Sequence, residues 1–171
     1  MADVREFELF HGIVLTKLVR SERPTTLRMI ETNPQQAWAA YEINDEITLY
    51  TKYRTAPRIL SRGRGGQSWT FVFSPFELDR IRRLESEKQV YLVLVCGYKD
   101  RRKPSPSRTC GMQTCFLNPD KLHKIIDINS EGQQTITVRC TPGQSLRVSG
   151  SATIKPLTVP RNALDTWNVP G

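Results

Sequence analysis

The sequence predicts an α/β domain, with α+β as the alternative, in one 171-residue unit. Three observations predict it. Residues 6–20 carry an apolar stripe at helical spacing, residues 27–53 hold three short strand-like segments parted by turn residues, and Val90–Cys96 is a nearly unbroken apolar run. The expected order is a helix, a three-stranded antiparallel meander, a second helix, a central strand and a C-terminal β-hairpin. Residues 1–150 form the domain, and 151–171 are expected as an extended tail.

Phe7, Phe10, Val14 and Leu18 recur at three- and four-residue steps and give the first helix its buried stripe, with Glu6 and Glu8 in its first turn. Pro24 ends that pattern. Strands are predicted over Leu27–Thr32, Ala37–Ile43 and Ile47–Tyr53, with turns at Asn33-Pro34 and Asn44-Asp45. In the third strand Ile47, Leu49, Thr51 and Tyr53 share one face, while Thr48, Tyr50 and Lys52 share the other. Ala40, Glu42 and Asn44 likewise share a face of the second strand. Arg54–Ser68 reads as a glycine-rich basic loop that Gly63, Gly65 and Gly66 leave free to move. Trp69, Phe71 and Phe73 alternate with Thr70 and Val72, a strand with an aromatic face.

Ser74-Pro75-Phe76-Glu77 opens the second helix. Ser74 caps it, Pro75 fits the first helical position and Glu77 completes a capping box. Leu78, Ile81 and Leu84 form its buried side. Val90–Cys96 is expected to be covered on both faces. Gly97–Gly111 is a second basic loop, rich in proline and serine. Met112–Leu117 is a strand, Asn118-Pro119-Asp120 starts a short helix burying Leu122, Ile125 and Ile126, and Thr135–Cys140 with Ser145–Val148 make the final hairpin.

Net charge is +8, from 25 Lys+Arg against 17 Asp+Glu, which favours an anionic partner, nucleic acid first. No apolar run approaches the roughly 20 residues of a membrane span. The N-terminus, Met-Ala-Asp-Val-Arg-Glu, is unlike a signal peptide, so a cytoplasmic protein is expected. In that compartment Cys96, Cys110, Cys115 and Cys140 are expected as reduced packing thiols; a zinc site using the Cys110/Cys115 pair is the competing reading. His11 and His123 have no recognisable nucleophile or metal partner, and Gly63–Gly66 lacks the lysine and helix of a phosphate-binding loop.

The helix, three strands, helix and strand between Glu6 and Leu117, with Tyr50-Thr51-Lys52 ending the meander, resemble the core of the PD-(D/E)xK nuclease superfamily, which includes many restriction enzymes and Holliday-junction resolvases. The resemblance rests on element order and placement and implies a restriction-endonuclease-like core. In that family, acids on the second and third strands hold magnesium, a lysine two residues after the third-strand acid assists, and many members add a glutamate from the first helix. Hydrolysis of a phosphodiester needs such hard oxygen ligands and a positive group near the developing charge.

Carried over, Lys52 matches the family lysine and Tyr50 stands in the acid's place. Glu42 is the substitute acid on the second strand, Glu6 or Glu8 the helix glutamate, and Asp45 lies in the turn. The second strand has no Pro-Asp pair; Asn33-Pro34-Gln35 comes nearest. The catalytic candidates are thus Glu42, Tyr50 and Lys52. The metal candidates are Glu42 and Glu8, holding magnesium or manganese if the site is active. A phenol with a pKa near 10 is a poor magnesium ligand, so the expected function is nucleic-acid binding on a degenerate, inactive nuclease-like fold, in DNA processing or phage defence by family analogy. Arg54, Arg58, Arg62 and Arg64 would contact phosphate, with Lys99, Arg101, Arg102 and Lys103 as a second patch. The alternatives are an active metal-dependent nuclease and a protein-interaction module that uses the aromatic strand.

Overall fold

The computed structural model describes residues 5–20, 24–60, 63, 65–98 and 110–170. Among them the chain forms α1 (Glu6–Val19), β1 (Leu27–Asn33), β2 (Trp38–Ile43), β3 (Ile47–Arg54), β4 (Arg58–Ile59), β5 (Gln67–Phe73), α2 (Pro75–Glu87), β6 (Gln89–Cys96), β7 (Gln113–Leu117), α3 (Pro119–Ile125), β8 (Gln134–Cys140), β9 (Leu146–Gly150) and β10 (Thr153–Val159). The fold is mixed α/β. The strands divide into two five-stranded sheets: sheet A, ordered β1-β2-β3-β6-β7, and sheet B, ordered β10-β9-β8-β5-β4.

The meander of sheet A forms where the sequence places it. Asn44 and Asp45 adopt φ of 53° and 56°, the left-handed turn conformation that Asn and Asp tolerate best. The Asn44 side chain also accepts from the Thr26 N–H at 2.8 Å, tying the start of β1 to that turn. β3 then pairs parallel with β6, Ile47 opposite Gln89 and Arg54 opposite Cys96. Both strands are buried on both faces, which is why β6 is written almost entirely in apolar residues.

One face of sheet A carries α1, whose Phe10, Val14 and Leu18 pack on Leu49, Val93 and Val95. The other face, with Trp38, Tyr50, Leu92 and Leu94, packs on α2, α3 and the inner side of sheet B, including Trp69, Phe71, Phe73, Ile136, Val138 and Val148. The close approach of α1 has a sequence signature: a Cβ on Gly97 would lie 2.3 Å from the Phe10 ring.

Several expectations change. The aromatic side chains of β5 are buried, so that strand offers no aromatic docking face. The C-terminal hairpin gains a third strand, because β10 pairs antiparallel with β9. What was expected as an extended tail after Gly150 therefore belongs to sheet B, and beyond it Leu164 and Val169 are buried against the α1 side of sheet A. Trp167 packs on Tyr91 and Phe116 with ring centroids 5.0 and 4.7 Å away. Cys110 and Cys140 are disulfide-bonded across a 30-residue separation, not reduced, and Cys96 and Cys115 are free and buried. This splits the Cys110/Cys115 pair that a zinc site needed. The glycines ending the first basic loop are buried, not free: Gly66 has φ +101°, and a Cβ there would meet the Cys140 carbonyl oxygen at 2.0 Å.

Candidate functional site

Lys52 lies near the end of β3 on the face turned toward sheet B, 7% exposed. A lysine so placed needs a counter-charge. Glu77, 1% exposed in the first turn of α2, supplies it: Lys52 Nζ donates to Glu77 Oε1 at 2.6 Å and Oε2 at 2.9 Å. Burial pushes the Lys52 ammonium down and the Glu77 carboxyl up, while each partner's charge opposes the shift. Lys52 Nζ also sits 5.1 Å from the centroid of the Phe73 ring.

Glu77 was expected to complete a capping box. The structure keeps half of it. Ser74 Oγ accepts from the Glu77 N–H at 3.2 Å, as a cap should, but the Glu77 carboxylate turns inward to Lys52. The sequence signal for this residue was real and pointed elsewhere: an N3 glutamate has one carboxylate and two available donors, and the fold chooses between them.

Glu42 shares a face with Tyr50 and Lys52, as the alternation indicated, yet the register keeps them apart. Glu42 lies opposite Thr48 and Lys52 opposite Trp38. Four residues of strand therefore separate the two positions, about 13 Å. Glu42 is engaged instead by Lys88 at 2.8 Å and Arg28 at 2.9 Å. Hydrogen bonds from Lys88, then Arg28, hold its carboxyl down at about 2.

Glu8 spends its carboxylate on the Arg5 backbone N–H at 3.1 Å, at the start of α1. That helix lies on the opposite face of sheet A from Lys52, so Glu8 and Glu42 do not meet. Glu6 reaches the Thr55 hydroxyl at 3.5 Å, and Asp45 stays in the turn. Among the described residues no group of three or more His, Cys, Asp or Glu side chains is placed to hold a metal ion.

Tyr50, in the place of the family acid, is fully buried and stacks on Trp38 with centroids 5.1 Å apart. Its hydroxyl has no hydrogen-bond partner among the described residues. Burial, then the charges of Glu77 and Glu31, push its pKa well above the usual phenol value, so it stays protonated. Glu31 itself pairs with Arg80 at 3.3 Å. Beside this cluster opens a cleft of about 350 Å³ walled by Gln35, Gln36, Lys52, Arg54, Ser74 and Glu77. The structure thus brings Tyr50, Lys52 and the unforeseen Glu77 to one place, and leaves Glu42 and Glu8 elsewhere.

Of the basic candidates, Arg54 and Arg58 are exposed, at the end of β3 and in β4. Arg62, Arg64, Lys99, Arg101, Arg102 and Lys103 lie outside the described residues. His11 is buried beneath the sheet and shares a 2.6 Å hydrogen bond with Thr51 Oγ1. Thr51 Oγ1 also lies 3.2 Å from the Ala39 carbonyl; with its proton on that carbonyl, the neutral His11 ring donates through Nδ1. Burial lowers the His11 pKa to about 4. His123 forms a 2.7 Å pair with Glu85 on the surface. No protein-family model, curated protein sequence or solved structure matches this chain.

Proposed function

We propose that this protein binds nucleic acid on a nuclease-like scaffold that has lost its hydrolytic acids. The helix, meander, helix and parallel strand of α1, β1–β3, α2 and β6 support the PD-(D/E)xK reading of the scaffold. Tyr50 in the acid's place and Glu42 about 13 Å along the strand from Lys52 support its inactivity. By family analogy the setting is DNA processing or phage defence.

The carrying observation is where the charge lies. Segments 54–66 and 97–111 hold nine of the 25 Lys+Arg and one of the 17 Asp+Glu. They therefore account for the whole net charge of +8 and leave sixteen of each sign in the remaining chain. Both segments follow the C-terminal ends of the parallel pair β3 and β6, where the Gly97 N–H donates to the Arg54 carbonyl at 2.8 Å. The far end of the second is held close too, since the Tyr98 hydroxyl donates to the Cys110 carbonyl at 2.5 Å. Two basic segments anchored at one sheet end suit a phosphate backbone. Fluorescence anisotropy with labelled DNA and RNA, single- and double-stranded, across a salt series tests this. Affinity should fall steeply with salt; a flat response sinks the proposal.

A second reading, an active metal-dependent nuclease, is favoured by the Glu77 carboxylate standing 2.6 Å from Lys52 on the wall of a cleft. It predicts manganese- or magnesium-dependent cutting that is abolished in a folded Glu77→Gln variant and retained in Glu42→Gln.

A further inference from the structure

The outer face of sheet B carries a feature unrelated to Lys52. Register places Arg58 opposite Ser68, Ser68 opposite Arg139, Arg139 opposite Arg147 and Arg147 opposite Thr158. Directly opposed residues point to the same side of a sheet. Their neighbours along the strands, Trp69, Val138, Val148 and Val159, are buried, so this row of three arginines and two hydroxyls faces out across all five strands. Arg58, Arg139 and Arg147 are exposed. None of the three has a hydrogen bond, ion pair or ring contact among the described residues.

The composition of the sheet sharpens the point. Its five strands contain Arg58, Arg139, Arg147 and Lys155, and no Asp or Glu. Like charges directly opposite each other destabilise a sheet, and the Cα atoms of such a pair lie about 5 Å apart. Arg139 and Arg147 are such a pair, with no acid on either strand to relieve them. One row along, Thr70, Thr137 and Ser149 are also mutually opposed, and add hydroxyl donors. At about 4.8 Å per strand, Arg58 lies roughly 10 Å from Arg139.

We propose that this face docks the phosphodiester backbone of a nucleic-acid duplex. Charge complementarity selects a polyanion: unpaired guanidinium groups flanked by hydroxyls are the groups that hold phosphate oxygens. The absence of aromatics selects a duplex backbone over splayed bases. The outward residues of β5 are Ser68, Thr70 and Val72, its aromatic residues point inward, and the strands of this sheet present no stacking platform among the described residues. Such a surface reads phosphate without reading sequence. The inference rests on the nucleic-acid reading above and assigns that function a second surface, on Arg139 and Arg147.

The test compares the wild type with Arg139→Gln/Arg147→Gln, and with Lys121→Gln/Lys124→Gln on α3 as a control that removes equal charge elsewhere. Thermal melts confirm folding, and anisotropy gives duplex affinity over a salt series. The sheet variant should bind about tenfold more weakly, and its slope of log affinity against log salt should be shallower by about 1.8, two phosphate contacts at ~0.9 each. The control should change neither by as much. Equal losses in both variants overturn this surface but leave nucleic-acid binding standing. A wild type that binds no nucleic acid overturns both. Tighter binding of single strands, with the duplex unaffected by the sheet variant, also overturns it.

Discussion

Sheets A and B treat charge in opposite ways. Sheet A and the helix beside it bury or pair most of theirs: Lys52 with Glu77, Glu42 with Arg28 and Lys88, Glu31 with Arg80, with Arg54 left exposed at the end of β3. Sheet B carries only positive charge on its strands, and its arginines stand on the outer face without a partner among the described residues. Electrostatics inside sheet A is therefore a matter of folding, because a buried ion without its partner is expensive. On sheet B the same side chains are solvated and nearly silent in folding, so they remain available to a ligand. A cationic residue is informative about function where the fold does not already use it.

The largest effect should come from breaking the buried pair. Lys52→Met or Glu77→Leu alone should lower stability by about 3–5 kcal/mol in urea unfolding, because each strands a buried charge. The double variant should recover most of that loss or exceed the wild type. Equal losses in single and double variants would deny the pair its structural role and place it in the solvated class of sheet B.

Acid should reach sheet A next, through His11. Its folded pKa, about 4 against the ordinary 6.5, is depressed because burial favours the neutral ring. The stability it confers is thus complete above pH 6.5 and lost as pH falls toward 4. Protonation would leave a buried N–H at Nε2, which has no partner among the described residues. The full loss is about 3 kcal/mol. Urea titrations at stepped pH should show it, and His11→Gln should flatten that part of the profile.

A smaller effect is expected where sheet B is closed rather than charged. Gly66→Ala should lose about 1–3 kcal/mol, since its Cβ would strike the Cys140 carbonyl and its φ is +101°. Smallest of all should be Arg139→Gln/Arg147→Gln, within about 0.5 kcal/mol of the wild type and of stabilising sign, because it relieves a like-charge pair. A large destabilisation in that variant would show that sheet B uses its arginines as sheet A does, and would erase the contrast.

Much of the architecture was legible because its cause is local. The stripe Phe10, Val14, Leu18 sets the face of α1, and Pro24 lies just beyond its end. Alternation in Trp69–Phe73 sets which side of β5 is buried, and Ser74-Pro75 fixes the start of α2. The shared face of Tyr50 and Lys52 was legible for the same reason, since side chains in a strand alternate with period two. Partner choice was not. That Glu77 meets Lys52, that Glu42 stands four residues away, that Cys110 bonds Cys140, and that Arg139 faces Arg147 each depend on how segments far apart in the chain are brought together. The sequence by itself determined the elements, their buried faces and the excess of positive charge. Only the tertiary structure decided which charges neutralise one another and which stay free, because pairing is set by strand register and exclusion of water, and neither is a property of a local stretch of chain.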